Sequence, residues 1–183
     1  MNGRRRQFLD RTTHYLFSYD VELEMANEEI GFVGPGVRVN VFCRPNESRI
    51  YHIIGEASNT SSGLPTMNGL VVGGGDWALF REDDVEISEV KLTIQTDDGA
   101  IIDSHYRAVL PFGAGGYRWL ISEEKKIGTH KNPVEAPVVI SPVYETSSPK
   151  YRWLTDRQCV GFGLVQIIQS RMRRVSYDIF AMD

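Results

Sequence analysis

The sequence has little of what marks several common protein classes. It contains two cysteines, Cys43 and Cys159, and neither lies in a CxxC pattern or a Cys/His cluster, which argues against a disulfide scaffold and a zinc site. No apolar run approaches the roughly 18 residues that a membrane helix requires, and the N-terminus lacks the apolar core of a signal peptide. We therefore expect a cytoplasmic protein with two reduced, buried thiols and no membrane partner.

Basic charge is also scarce. Lys and Arg total 20 against 24 Asp and Glu, which gives a net charge of −4. The one basic cluster, Arg4–Arg6, lies in an N-terminal arm over residues 1–13 without interleaved aromatic residues, so we expect no nucleic-acid partner. At 183 residues, 42% of them hydrophobic, the chain is long enough for a single domain with a true core, which we assign to residues 14–183.

Common catalytic and cofactor motifs are missing as well. The Gly73–Gly75 run is not followed by the Lys-Ser/Thr of a P-loop, and the chain has neither a GxSxG elbow nor an HExxH pattern. The four histidines are spread singly, without the spacing of a metal site. The sequence therefore predicts no metal and no cofactor.

What the sequence does contain is an alternation of apolar and polar residues over most of its length, which predicts β-strands. The predicted strands are His14–Leu23, Gly36–Cys43, Arg49–Ala57, Thr66–Val72, Asp76–Arg81, Val85–Thr96, Ala100–Leu110, Ala136–Thr146, Val160–Gln169 and Arg173–Met182. Most are joined by short turns, and no gap could hold a crossover helix. An all-β fold follows, either a single antiparallel β-barrel, whose closure removes exposed edges, or a two-sheet sandwich.

One connection is longer than the others. The segment Pro111–Pro133 contains three glycines and a charged stretch at Glu123–Lys126. Long connections in compact β domains are usually functional, so we expect a lid over one opening of the barrel.

One hairpin can be worked out in detail. A three-residue loop at Asp97–Gly99, with Gly99 in the left-handed region, pairs Thr96 with Ala100. This register turns Ser104 and Tyr106 toward the interior, together with the apolar residues of the preceding strand. The outward face then carries Asp103, His105 and Arg107.

The run Gly73–Gly75, followed by Asp76 and Trp77, has two interpretations. Three residues without a Cβ let a ligand or a second main chain approach closely, and the carboxylate and large aromatic side chain that follow are typical of a pocket wall. The alternative is a bulge or bend between two strands, in which Asp76 satisfies the turn and Trp77 fills the core.

Three motifs in this order and spacing resemble one family. They are Gly73-Gly74-Gly75-Asp76-Trp77, Thr96-Asp97-Asp98-Gly99-Ala100, and Pro142-Val143-Tyr144-Glu145-Thr146 leading into Pro149-Lys150-Tyr151-Arg152-Trp153-Leu154. From about His14 onward the chain is similar to domain of unknown function 3237, also called uncharacterised protein family 0311. The resemblance implies a compact antiparallel β-barrel of calycin or lipocalin type with an internal cavity, and a context of catabolic or secondary-metabolite genes.

Carboxylates, tyrosines and tryptophans remain as the candidates for a site in a mostly apolar cavity. The predicted catalytic residues are Asp76, Glu145 and Tyr106, and the predicted substrate-binding residues are Trp77, Ser104, Tyr144, Tyr151 and Trp153. Desolvation raises a carboxyl pKa toward neutrality, and a tyrosine hydroxyl stabilises a developing enolate or phenolate oxygen. Because Tyr144 and Glu145 are adjacent on one strand, only one of them points inward.

These residues suggest a cofactor-independent enzyme that binds a small hydrophobic molecule. The expected reaction is an isomerisation, a cyclisation (pericyclic reactions included) or an elimination by a lyase, in secondary metabolism. Two alternatives stay open. One is a lipocalin-like carrier that binds a small molecule without changing it, and the other is an interaction module, with a homodimer as one form of it.

Overall fold

The computed structural model describes residues 13–24, 28–51, 66–111, 113–115, 117–118, 134–168 and 171–182. These residues form strands joined by turns, with one turn of 3-10 helix at Arg152–Leu154. The strands are β1 (Thr13–Glu22), β2 (Glu28–Val33), β3 (Gly36–Phe42), β4 (Ser48–Tyr51), β5 (Gly69–Arg81), β6 (Val85–Thr96), β7 (Ile101–Pro111), β8 (Val134–Ile140), β9 (Val143–Glu145), β10 (Gln158–Ile168) and β11 (Arg171–Met182). The N-terminal arm predicted over residues 1–13 lies almost entirely outside the described residues. No described helix has the length and apolar character needed to cross a membrane.

The strands form one antiparallel sheet that curls into a barrel. Its order is β8-β10-β11-β1-β4-β5-β6-β7-β9, and β3 pairs with β5 and β2 beside this path. The two ends of the order, β8 and β9, are consecutive in the chain and are separated only by Ser141 and Pro142. The chain therefore changes its pairing partner from β10 to β7 at this point and links the two edges of the curled sheet. The prediction of an all-β antiparallel barrel is confirmed.

Apart from shifts of one to three residues at strand ends, the strands differ from the prediction in three places, and the predicted continuation of β4 over residues 52–57 lies outside the described residues. The two strands expected on either side of the glycine run are one strand, β5, and the glycines lie inside it. The strand predicted over Ala136–Thr146 is two strands, because Pro142 has no N–H to continue a ladder and the chain changes partner there. β2 was missed altogether, since its side chains are mostly exposed and its alternation is weak.

The predicted β6–β7 hairpin is confirmed. The N–H of Thr96 donates to the carbonyl of Ala100 at 2.9 Å, and Gly99 has a φ of +86°. The register that follows pairs Val90 with Tyr106 and Leu92 with Ser104. As expected, Ser104 and Tyr106 are buried inside the barrel, while the alternate residues of β7 face outward.

Two features brace the ends of the barrel. Near the β6–β7 turn, Asp98 accepts hydrogen bonds from Lys150 at 2.5 Å and from the Tyr151 hydroxyl at 3.1 Å. At the other end, Asp84 in the β5–β6 turn accepts the backbone N–H groups of Gly115 and Tyr117, at 2.9 and 2.8 Å. Asp84 thus holds the start of the predicted lid, and most of that segment lies outside the described residues.

Candidate functional site

A cavity lies inside the barrel, toward the end where β6 begins and β7 ends. Its volume is about 40 Å³. Most of its wall is apolar and includes Val21, Val41, Val90, Leu92, Val165 and Val175. Its polar lining is confined to Asp76, Glu86, Ser88, Tyr106 and Tyr177, with the thiol of Cys43 beside them. A few polar groups in an otherwise apolar chamber are typical of a small-molecule site.

The glycine run sets the position of Asp76 on β5. Gly74 has a φ of +121°, and the ladder to β6 shifts register between Val71 and Gly73, so the run forms a bulge within the strand. Gly75 passes close to β3, where an added Cβ would lie 2.6 Å from the Val41 carbonyl oxygen. Gly75 also lines the cavity, and Asp76 follows with its carboxylate in the cavity wall. The run therefore bends a single strand and brings Asp76 into the cavity wall.

Asp76 and Glu86 form a carboxyl pair in the cavity wall. Asp76 is half-buried and accepts the backbone N–H of Glu89 at 3.0 Å. Glu86, on β6, is fully buried, and its Oε1 accepts a hydrogen bond from the Ser88 hydroxyl at 2.8 Å. The second oxygen of Glu86, Oε2, is buried and has no hydrogen-bond partner.

Burial controls the protonation of this pair. Desolvation raises the pKa of Asp76 from 3.8 to about 6, although hydrogen bonding with Ser88, with the Glu89 backbone N–H and with the Glu86 carboxyl opposes the shift. Desolvation, followed by the nearby charge of Asp76, raises the pKa of Glu86 from 4.5 to about 8. At neutral pH the pair therefore carries one proton, mainly on Glu86, and one negative charge, mainly on Asp76. It can both accept and donate a proton.

Two tyrosines form the aromatic part of the cavity wall. The rings of Tyr106, from β7, and Tyr177, from β11, meet edge to face with centroids 5.9 Å apart. Gly163 on β10 makes room for them, because a Cβ there would lie 2.4 Å from a ring carbon of Tyr177. Burial raises the pKa of both hydroxyls, so both remain neutral donors at physiological pH.

A second group of hydroxyls lies deeper in the barrel and does not line the cavity. Tyr19, Tyr144 and Ser104 are each at most 2% exposed, and none of their hydroxyl oxygens has a hydrogen-bond partner. Ser104 and Tyr144 are direct cross-strand neighbours on β7 and β9. The predicted binding residues Ser104 and Tyr144 are therefore inside the barrel, one layer below the cavity.

Four predicted site residues lie away from the cavity. Trp77 is adjacent to Asp76 on a strand and so faces the other side, where its ring packs edge to face on Phe42. Glu145 is exposed on β9, since it is Tyr144 that points inward. Tyr151 is buried as part of the brace at Asp98, and Trp153 packs against the core near the same end. None of these four side chains is among the described residues that line the cavity.

The sequence reasoning also missed Glu86, Ser88 and Tyr177. Glu86 and Ser88 have the same parity along β6 as Val90 and Leu92, which the hairpin register had already turned inward. Extending that alternation toward the start of the strand would have identified both. Tyr177 alternates with Ile179 on β11, but nothing local distinguishes it from a core tyrosine.

Among the described residues, no group of three or more His, Cys, Asp or Glu side chains could hold a metal ion. A comparison with curated proteins finds no significant match.

The family profile described as "Protein of unknown function (DUF3237)" matches residues 13–182, nearly the whole sequence. The chain belongs to the DUF3237 family. The resemblance that the three motifs indicated is therefore confirmed.

Solved structures similar to this DUF3237 chain share its fold. A protein of unknown function from Clostridium acetobutylicum has a TM-score of 0.69 at 19% identity, covering 95% of this chain and 100% of that one. A beta-barrel like protein from Acinetobacter baumannii has a TM-score of 0.67 at 22% identity, covering 94% and 96%. An enzyme from Penicillium herquei has a TM-score of 0.59 at 16% identity, covering 94% and 95%. At these identities the likeness extends to the fold alone.

Proposed function

We propose that this protein is a cofactor-independent isomerase, cyclase or lyase that acts on a small hydrophobic molecule bound inside the barrel. The observation that carries the proposal is the carboxyl pair of Asp76 and Glu86 in the wall of an otherwise apolar cavity. Carboxyl groups are rarely buried, and pKa values near neutrality suit them to proton transfer. A similar fold in a protein described as an enzyme adds support.

In this mechanism the two carboxyl groups have different roles. Asp76 is the less buried member and carries the negative charge at neutral pH, so it accepts a proton from the substrate. Glu86 holds the remaining proton and returns it at another atom of the substrate. The hydroxyls of Tyr106 and Tyr177 donate hydrogen bonds to an oxygen on which charge develops. The apolar walls exclude water and hold one reactive conformer.

The alternative function is that of a small-molecule carrier of lipocalin type. The apolar lining alone would be sufficient for a carrier. A carrier of an uncharged apolar molecule has no use for a buried carboxyl pair, whose desolvation reduces stability. We also propose a cytoplasmic location and a role in secondary metabolism. The two free, buried thiols, Cys43 and Cys159, support the first, and the family resemblance suggested the second.

The experiment compares binding with conversion in matched variants. The purified protein is incubated with a library of small hydrophobic metabolites, bound compounds are identified by native mass spectrometry, and conversion is followed by liquid chromatography. For a converted compound, Asp76→Asn should lower kcat by about 10²- to 10⁴-fold and weaken its Kd by no more than about tenfold. Asp103→Asn, an exposed carboxylate on the outer face of β7, is the control. Bound compounds that are all released unchanged would favour the carrier.

A further inference from the structure

The carboxyl pair lacks the cation that a buried carboxylate normally has. Glu86 is fully buried, its Oε2 has no partner, and the cavity to which it contributes is the nearest place from which a partner could come. Among the described residues that line this cavity, none is Lys, Arg or His. Buried carboxylates are nearly always paired with a cation or fully hydrogen-bonded. Within the described residues the proton on Glu86 is the donor that the pair retains, and a cation supplied from outside the chain would take its place.

The rest of the cavity wall suits a cation attached to a hydrocarbon body. The rings of Tyr106 and Tyr177 lie in the same wall as the two carboxyls, and an aromatic face attracts a positive charge within about 6 Å. The remaining lining is aliphatic, with side chains such as Val41, Leu92 and Val165. An anionic ligand would meet two acidic groups and no compensating cation.

We infer that the ligand of this cavity is a small organic amine, whose ammonium group binds to Asp76 and to the free oxygen of Glu86. Its hydrocarbon part then occupies the aliphatic half of the cavity. This inference rests on the proposed function, because it takes the cavity to be the substrate site. It narrows the substrate from a hydrophobic molecule to one that carries a basic nitrogen, and it excludes carboxylates and phosphates.

The inference makes binding depend on pH in a defined way. The titratable groups that face the pair are Cys43 on the β3 side, Tyr106 on β7 and Tyr177 on β11, and burial raises the pKa of each above its usual value. Glu89, next to the pair on β6, adds negative charge. The groups that gain or lose a proton between about pH 5.5 and 8.5 are therefore Asp76 and Glu86, whose pKa values are about 6 and about 8. An ammonium ligand displaces the proton on Glu86, so that its own N–H replaces the Glu86 carboxyl as the proton donor of the pair, and it binds more tightly as the pH rises.

The test uses three unreactive probes of similar shape and different charge: benzylamine, benzyl alcohol and benzoate. Their affinities for the full-length protein are measured by NMR titration at pH 5.5 and pH 8.5, where benzylamine remains largely protonated. At pH 8.5 we expect benzylamine to bind at least about tenfold more tightly than benzyl alcohol, the gain typical of a hydrogen bond to a charged group. We expect this preference to shrink at pH 5.5, and benzoate to bind weakest.

Variants assign the preference to the pair. Glu86→Gln and Asp76→Asn should each reduce the preference for benzylamine about tenfold, while Asp103→Asn should leave it unchanged. Any of three results would overturn the inference. Benzyl alcohol or benzoate could bind as tightly as benzylamine, the preference for benzylamine could survive both variants, or benzylamine could fail to bind at millimolar concentration. Because the probes do not react, these results are independent of turnover. If the protein binds amines but converts none of them, the proposed catalysis is contradicted, while the inference that the ligand is an amine is retained.

Discussion

Replacing Glu86 by glutamine should make the barrel more stable at alkaline pH. Glutamine has nearly the same shape, can accept the 2.8 Å hydrogen bond from Ser88, and removes a buried group that must ionise as the pH rises. In the folded protein the pKa of Glu86 is raised from 4.5 to about 8. Protonated Glu86 makes its full contribution to the free energy of unfolding below pH 4.5, and this contribution is lost as the pH rises through about 8.

The magnitude follows from the size of that shift. One pKa unit corresponds to about 1.4 kcal/mol, so a rise from 4.5 to about 8 represents a loss on the order of 5 kcal/mol of unfolding free energy once Glu86 is ionised. For a domain of this length, 1 kcal/mol changes Tm by about 2–4 °C. Between pH 4.5 and pH 9 we therefore expect the Tm of the wild type to fall roughly 10 °C more than that of Glu86→Gln.

The assay is thermal unfolding followed by circular dichroism at intervals across this pH range. The exposed glutamate of β8 provides the control, and Glu135→Gln should follow the wild-type curve. Asp76→Asn provides an internal check: the charge of Asp76 is the second cause of the shift, so its removal should lower the pKa of Glu86 and reduce the alkaline loss. A difference in Tm between Glu86→Gln and the wild type that is the same at every pH would refute the reasoning.

Three further predictions concern the described framework, each measured as the free energy of unfolding in urea. Gly74→Ala should lower the free energy of unfolding by at least about 2 kcal/mol, because the φ of Gly74 is +121° and the added Cβ would lie 2.1 Å from a main-chain oxygen of β6. Gly73→Ala is the matched control: a Cβ there would meet nothing within 4 Å, so it should change the free energy of unfolding by less than about 1 kcal/mol. Tyr19→Phe, which deletes a buried hydroxyl without a partner, should leave stability unchanged or raise it by about 1 kcal/mol, and a loss of more than that would indicate a bound water at this hydroxyl. Tyr151→Phe should cost about 1 kcal/mol, because it breaks the 3.1 Å bond to Asp98, and equal stability would show that the brace contributes nothing.

The β6–β7 hairpin could be predicted because its determinants are local. Asp97–Gly99 sets the loop, the loop sets the register, and period-two alternation then assigns each side chain of both strands to a face. The same rule, applied along the whole of β6, would have found Glu86. It also separates Asp76 from Trp77, since adjacent residues of a strand cannot both face one cavity.

Other parts of the site could not be predicted, since they depend on which strands become neighbours. Alternation required that either Tyr144 or Glu145 point inward, and the pairing of β9 with β7 turned Tyr144 toward Ser104. Likewise, Tyr177 lies far along the chain from Tyr106, and only the curling of the sheet brings their ring centroids to 5.9 Å from each other.

The sequence by itself determined the class of fold, the family, and the facing of side chains within hairpins. These properties follow from alternation, turn residues and short motifs, all of which act over a few neighbouring residues. The tertiary structure decided that Asp76 shares its cavity with Glu86 and not with Glu145, and that the described residues of the cavity wall include two acidic groups and no Lys, Arg or His. The physical reason is that desolvation and charge pairing depend on what surrounds a group in three dimensions, and strands distant in sequence supply those surroundings.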